Sequence, residues 1–109
     1  MDDVLAVEVQ SHDGSTLVTA VGEVDADSMR VLEAPLEEVG LERKVLVDMS
    51  GVRFMDSSGL KVILAQRMRM IESGGSIHIC NPSPAVRRLV EVTGLNHVLY
   101  EPEEPMARG

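Results

Sequence analysis

The chain is almost without aromatic residues: Phe54 and Tyr100 are the only two among 109, and there is no tryptophan. A core must therefore come from aliphatic side chains and from some of the seven methionines, whose unbranched thioethers fill irregular gaps. The same lack removes the stacking platforms on which single-stranded bases are held. Cationic residues are also scarce. Ten Lys and Arg stand against 18 Asp and Glu, a net charge of −8, which argues against nucleic acid and anionic membrane surfaces as partners. The single cysteine, Cys80, rules out a disulfide framework within the chain and sits in an apolar, strand-like run. No apolar stretch approaches the roughly 20 residues that span a bilayer. Met1-Asp2-Asp3 lacks the basic-then-apolar order of a signal peptide. One small cytoplasmic domain is the expectation.

What is present is an order of strands and helices. Val4 to Gln10 reads as a first strand, His12-Asp13-Gly14-Ser15 as a turn with glycine at positive φ, and Thr16 to Val21 as a second strand, pairing as a hairpin. Gly22-Glu23-Val24-Asp25 ends that strand. Met29, Leu32, Leu36 and Val39 have helical spacing from Ala26 to Val39, with Pro35 kinking the helix or splitting it in two. Lys44 to Met49 is a third strand, followed by a loop from Ser50 to Asp56 and a second helix from Ser57 to Glu72 that Gly74-Gly75 stops. Ser76 to Cys80 is a fourth strand. Ser83 caps a third helix from Pro84 to Val92, which Gly94 closes, and Val98-Leu99-Tyr100 reads as a short last strand. This alternation predicts an α/β domain over residues 1–100, with a mixed, mainly parallel sheet of four to five strands and helices packed on it. Residues 101–109, acidic and proline-broken, read as a disordered tail.

In such sheets functional loops gather at the carboxyl ends of the strands, so the segments Gly22–Asp25 and Ser50–Asp56 are expected to be neighbours. The second of these leads into Met55-Asp56-Ser57-Ser58-Gly59-Leu60. Two serines follow a carboxylate where a helix opens, with unpaired backbone N–H groups and a positive dipole end. A phosphate on serine is stable at such a place. A helix cap by Asp56 or Ser57 accounts for one of these residues but not for the whole string.

No catalytic constellation can be assembled. Ser57 lacks a G-x-S-x-G elbow, and His12, His78 and His97 are scattered without metal-ligand spacing. Asp25, Asp48 and Asp56 all lie near strand ends and could converge, or could serve as separate caps and turn residues. On a helical wheel, Leu60, Ile63, Leu64, Met68, Met70 and Ile71 make the apolar face of the second helix, opposite Lys61, Arg69 and Glu72. Arg67 snorkels from the apolar side. Val62 projects to the polar side, one turn from Ser57, and reads as an exposed partner contact.

Val47-Asp48-Met49-Ser50-Gly51-Val52-Arg53-Phe54-Met55-Asp56-Ser57-Ser58-Gly59-Leu60 resembles the core of the bacterial anti-sigma factor antagonists, the STAS domain family. Gly22-Glu23-Val24-Asp25, Gly74-Gly75, Ser83 to Leu89 and Thr93-Gly94-Leu95 extend the resemblance over nearly the whole chain outside the tail. The region around Pro35 departs from it. The resemblance implies a non-enzymatic protein without cofactor or metal. It would bind an anti-sigma factor that is also a serine kinase, release the sigma factor, lose binding when Ser57 is phosphorylated and regain it through a serine phosphatase. Asp25, Asp56, Ser58, Gly59 and Val62 are the residues expected to meet the partner. STAS domains also serve as scaffolds in sensory complexes and as parts of lipid or anion transport systems; the intact Ser57 and single-domain length favour the antagonist.

Overall fold

In the computed structural model, which describes residues 4–102, β1 (Leu5–His12) and β2 (Ser15–Val24) form an antiparallel hairpin. Helix α1 (Met29–Glu37) leads to β3 (Lys44–Met55), and α2 (Ser57–Ile71) to β4 (Ser76–Cys80). Helix α3 (Pro84–Thr93) and the single turn α4 (Asn96–Leu99) follow. The sheet order is β1-β2-β3-β4, with β2, β3 and β4 parallel. The expected mixed, mainly parallel sheet is therefore present, with four strands.

Register places Val18 beside Val47 and Val47 beside Ile79, so one sheet face carries Val18, Ala20, Val45, Val47, Ile77 and Ile79, all buried. Each fully buried aliphatic side chain of this kind stabilises the fold by roughly 1.5–3 kcal/mol. The opposite face, with Leu17, Thr19, Leu46, Asp48, His78 and Cys80, is half-buried throughout. Among the described residues no helix is long and apolar enough to cross a membrane.

Four local expectations need correction. The hairpin turn takes its positive φ at Asp13 (53°), not at Gly14. Strand β3 does not stop at Met49 but runs on to Met55, so the supposed loop is paired backbone. Its buried residues step from Val45 to Val47 to Met49 and then to Val52 and Met55. Steps of two become steps of three because the register with β2 shifts twice, each shift adding a residue to β3. Such bulges hide a strand from any search for strict alternation.

Helix α1 is shorter than the apolar spacing implied. It is unbroken from Met29 to Glu37 and contains Pro35. The proline lies in the last turn, where its missing N–H costs one hydrogen bond to Val31, a residue on the exposed side. The helix then closes through Glu38 N–H to Pro35 O and Val39 N–H to Leu36 O, both 3.2 Å.

The last expected strand is instead α4. Leu95 O accepts from Val98 N–H (2.9 Å) and Leu99 N–H (2.8 Å), and that turn drives Leu99 into the core. Only Tyr100 keeps a strand-like contact, a parallel bridge to Ile79. The tail lies outside the described residues apart from Glu101 and Pro102.

Helix ends follow the sequence closely. Gly74 N–H bonds Ile71 O and Gly75 N–H bonds Met70 O, with Gly74 at φ +83°, a left-handed stop to α2. Ser83 Oγ accepts from Val86 N–H (3.2 Å) to cap α3, while Ser83 N–H bonds Met49 O and ties that helix to β3.

Candidate functional site

The carboxyl ends of β2 and β3 pair side by side: Glu23 lies beside Phe54 and Val24 beside Met55. Asp56 N–H donates to Val24 O (3.1 Å), so the first residue after β3 is stitched to the end of β2. Asp25 and Asp56 therefore leave adjacent strands at the same end of the sheet. The neighbourhood expected from topology is real, although paired strand supplies most of it.

Asp56 is the N-cap of α2. Its backbone is extended and its Oδ1 accepts from Ser58 N–H at 2.8 Å. Ser57 is the first residue of the helix and is exposed, whereas Ser58 is half-buried. Ser57 therefore stands exposed at the positive end of a 15-residue helix.

Gly59 is buried, and a Cβ there would lie 2.7 Å from the Met55 side chain and 2.9 Å from Val24. The glycine lets α2 seat closely on the strand ends. That role corrects its expected one, since a buried glycine offers a partner no surface.

Asp25 is committed to its own turn. Its Oδ1 accepts from the N–H groups of Asp27 and Ser28, each at 3.0 Å, while Ser28 Oγ accepts from Asp25 N–H and donates to Glu23 O. The Ser28 backbone bond chiefly holds the Asp25 carboxyl below its ordinary range. Asp48 lies elsewhere, beside Cys80 of β4. Burial pushes its carboxyl up, but the hydrogen bonds from Ser50 and Asn81 outweigh this and leave it lowered. The three aspartates thus serve three separate places: the turn after β2, the bulged stretch inside β3 and the cap of α2. Among the described residues no group of three or more His, Cys, Asp or Glu could hold a metal ion.

A pH dependence follows. Depressed carboxylates stabilise the fold while ionised, fully above the unfolded value near 4, and that contribution is lost as pH falls toward the folded value. The melting temperature should ease below about pH 6.5, because burial holds the His78 imidazole below its ordinary value while the unfolded chain protonates there, and fall more steeply below about pH 4. Asp48→Asn should lower the plateau and shallow the acid slope. A wild-type profile flat to about pH 3 would contradict this linkage.

Val62 is not a surface residue. It is 5% exposed and floors a narrow cleft between α1 and α2 with Leu36, Ala65 and Gln66. Helix α2 is covered by the sheet and also by α1, so its buried arc takes in Gly59, Leu60, Val62, Ile63, Gln66 and Met70. A wheel drawn for one apolar face cannot find a second covering element. Leu64, Met68 and Ile71 also do not lie opposite Lys61 as expected: at 100° per residue they share its side of the helix, and Met68 and Ile71 are exposed. The surface residue that the sequence reading missed is Phe54, 49% exposed and three positions before Ser57. Its signal was the chain's lone phenylalanine, standing between Arg53 and Met55 just ahead of the serines. Nearby, Arg53 and Glu23 form an ion pair at 3.6 Å.

An antiparallel-start, otherwise parallel sheet whose third strand delivers Asp-Ser-Ser-Gly to the mouth of a helix defines a STAS-type domain. The family model described as Mlab, STAS domain matches residues 7–101. The chain is 30% identical to an anti-sigma F factor antagonist of Paenibacillus polymyxa, covering 87% of this chain and 84% of that one. It is 31% identical to the anti-sigma-B factor antagonist of Bacillus subtilis, covering 85% and 86%. The crystal structure of an anti-sigma factor antagonist from Mycobacterium paratuberculosis superimposes with a TM-score of 0.74 at 29% identity, covering 90% and 86%. The chain belongs to the STAS domain family, and these relatives bear the names of regulatory proteins.

Proposed function

We propose that this chain is an anti-sigma factor antagonist. It binds an anti-sigma factor that doubles as a serine kinase and thereby frees a sigma factor; phosphorylation of Ser57 ends the binding and a serine phosphatase restores it. The observation that carries the reading is the exposed Ser57 at the first position of α2, held there by the Asp56 cap and by the Asp56–Val24 bond. The names of the relatives support the same reading.

The chemistry is simple. An unmodified Ser57 offers a small neutral group to an interface. Phosphate adds about −1.5 to −2 charges next to the Asp56 carboxylate, which a surface built for a hydroxyl cannot absorb. The kinase brings ATP and its metal, so the antagonist needs no catalytic group. Asp56 and Asp25 shape the surface by fixing the two turns beside Ser57, and Ser58 lies behind the first serine.

The test is release. The chain should displace a sigma factor from an anti-sigma factor of its own organism, measured by size-exclusion chromatography or by recovered transcription. Failure to displace any sigma factor across the organism's full set of anti-sigma factors would exclude the reading.

A further inference from the structure

Helix α2 carries two apolar arcs, and the described residues cover only one. The second consists of Leu64, Met68 and Ile71, spaced i, i+4 and i+7. Leu64 is half-buried, Met68 is 72% exposed and Ile71 51% exposed. At 100° per residue these three and Lys61 lie within about 40° of the Ser57 direction. Ser57, Lys61, Leu64, Met68 and Ile71 therefore form one line along the outer side of the helix, about 21 Å long at 1.5 Å per residue. Singly exposed apolar residues are ordinary. An exposed series in helical register, headed by the switch serine, is the pattern that anchors a helix in a partner's groove.

We infer that this line is a docking ridge for the anti-sigma factor, whose contact starts at Ser57 and continues down α2 to Ile71; the inference rests on the function proposed above. Continuity with Ser57 selects this occupant. A second copy of the chain is disfavoured because each copy carries a net charge of −8. The partner's matching surface is an apolar groove, with an acceptor for the Lys61 ammonium near the end that receives Ser57. In this arrangement phosphate at the head of the ridge opposes the seating of the whole helix, so one modification can release a long contact.

The experiment compares four forms of the full chain against the anti-sigma factor by calorimetry: wild type, Ser57→Asp, Met68→Glu/Ile71→Glu and Met68→Ala/Ile71→Ala. The double variant should raise the dissociation constant more than tenfold while its thermal melt stays close to wild type. Met68→Ala/Ile71→Ala, which adds no charge and keeps helix propensity, should weaken binding severalfold and guards against a folding defect in the glutamate pair. Weak binding by Ser57→Asp with wild-type binding by both double variants would overturn the ridge and leave the proposed function standing. Wild-type binding by Ser57→Asp, or no binding by the wild type, would overturn the proposed function and the ridge with it. Self-association of the free chain that the double variants abolish would assign the ridge to a second copy and overturn the inference.

Discussion

Ser57→Asp should weaken binding of the anti-sigma factor by tenfold or more, and full phosphorylation by more than a hundredfold. The second figure corresponds to a loss of about 3 kcal/mol. It is reasonable for a phosphate desolvated beside the Asp56 carboxylate. Aspartate carries about half the charge of a phosphate and a shorter reach, so its effect is the smaller one. Ser57→Ala should bind within a few-fold of wild type, because the hydroxyl is the modified group and not the main source of affinity. The fold gives no reason for any of these variants to lose stability: Ser57 is exposed, and the cap that starts α2 belongs to Asp56. Calorimetry on the three proteins measures the series. Equal affinities for wild type and Ser57→Asp would refute charge repulsion as the switch.

Val62→Glu should cost the fold about 3 kcal/mol or more, because a carboxylate would enter a site 5% exposed between α1 and α2. For a chain of this size that is a fall in melting temperature of roughly 10 °C or more. Glu33 and Glu37 line the same cleft, so a further negative charge meets like charges there, and among the described residues Arg69 is the only cation lining it. A thermal melt followed by circular dichroism decides the matter. A melt unchanged from wild type would mean that Val62 faces solvent, as its place on the helical wheel suggested, and that α1 does not cover it. Reduced partner binding by this variant would then report a contact; with the fold lost it reports only unfolding.

These two residues mark what the sequence could and could not disclose. The place of Ser57 at the mouth of α2 was legible because it depends on local chemistry: a strand, a capping carboxylate and the first residue of a helix. The ends of α2 and α3 were legible for the same reason, since Gly74, Ser83, Pro84 and Gly94 act on their own neighbours. Val62 was not, because its burial is decided by α1, nearly 30 positions away in the chain. The extension of β3 to Met55 was hidden by bulges that break the alternation of Val45, Val47 and Met49. Leu99 reads as a strand residue by composition, yet the short reach from Leu95 closes a helical turn first. Local rules identified most elements and the caps of α2 and α3, while burial set by a distant partner had to be seen.

The account stands most directly on the identity of the modified residue. Incubating the chain with its anti-sigma factor and ATP, then mapping the phosphate by peptide mass spectrometry, measures it. One phosphate on Ser57, absent from Ser57→Ala and lost on treatment with a serine phosphatase, is the predicted result. Phosphate on Ser58, or on the Ser83 cap of α3, would contradict the claim that the exposed first residue of α2 is the switch.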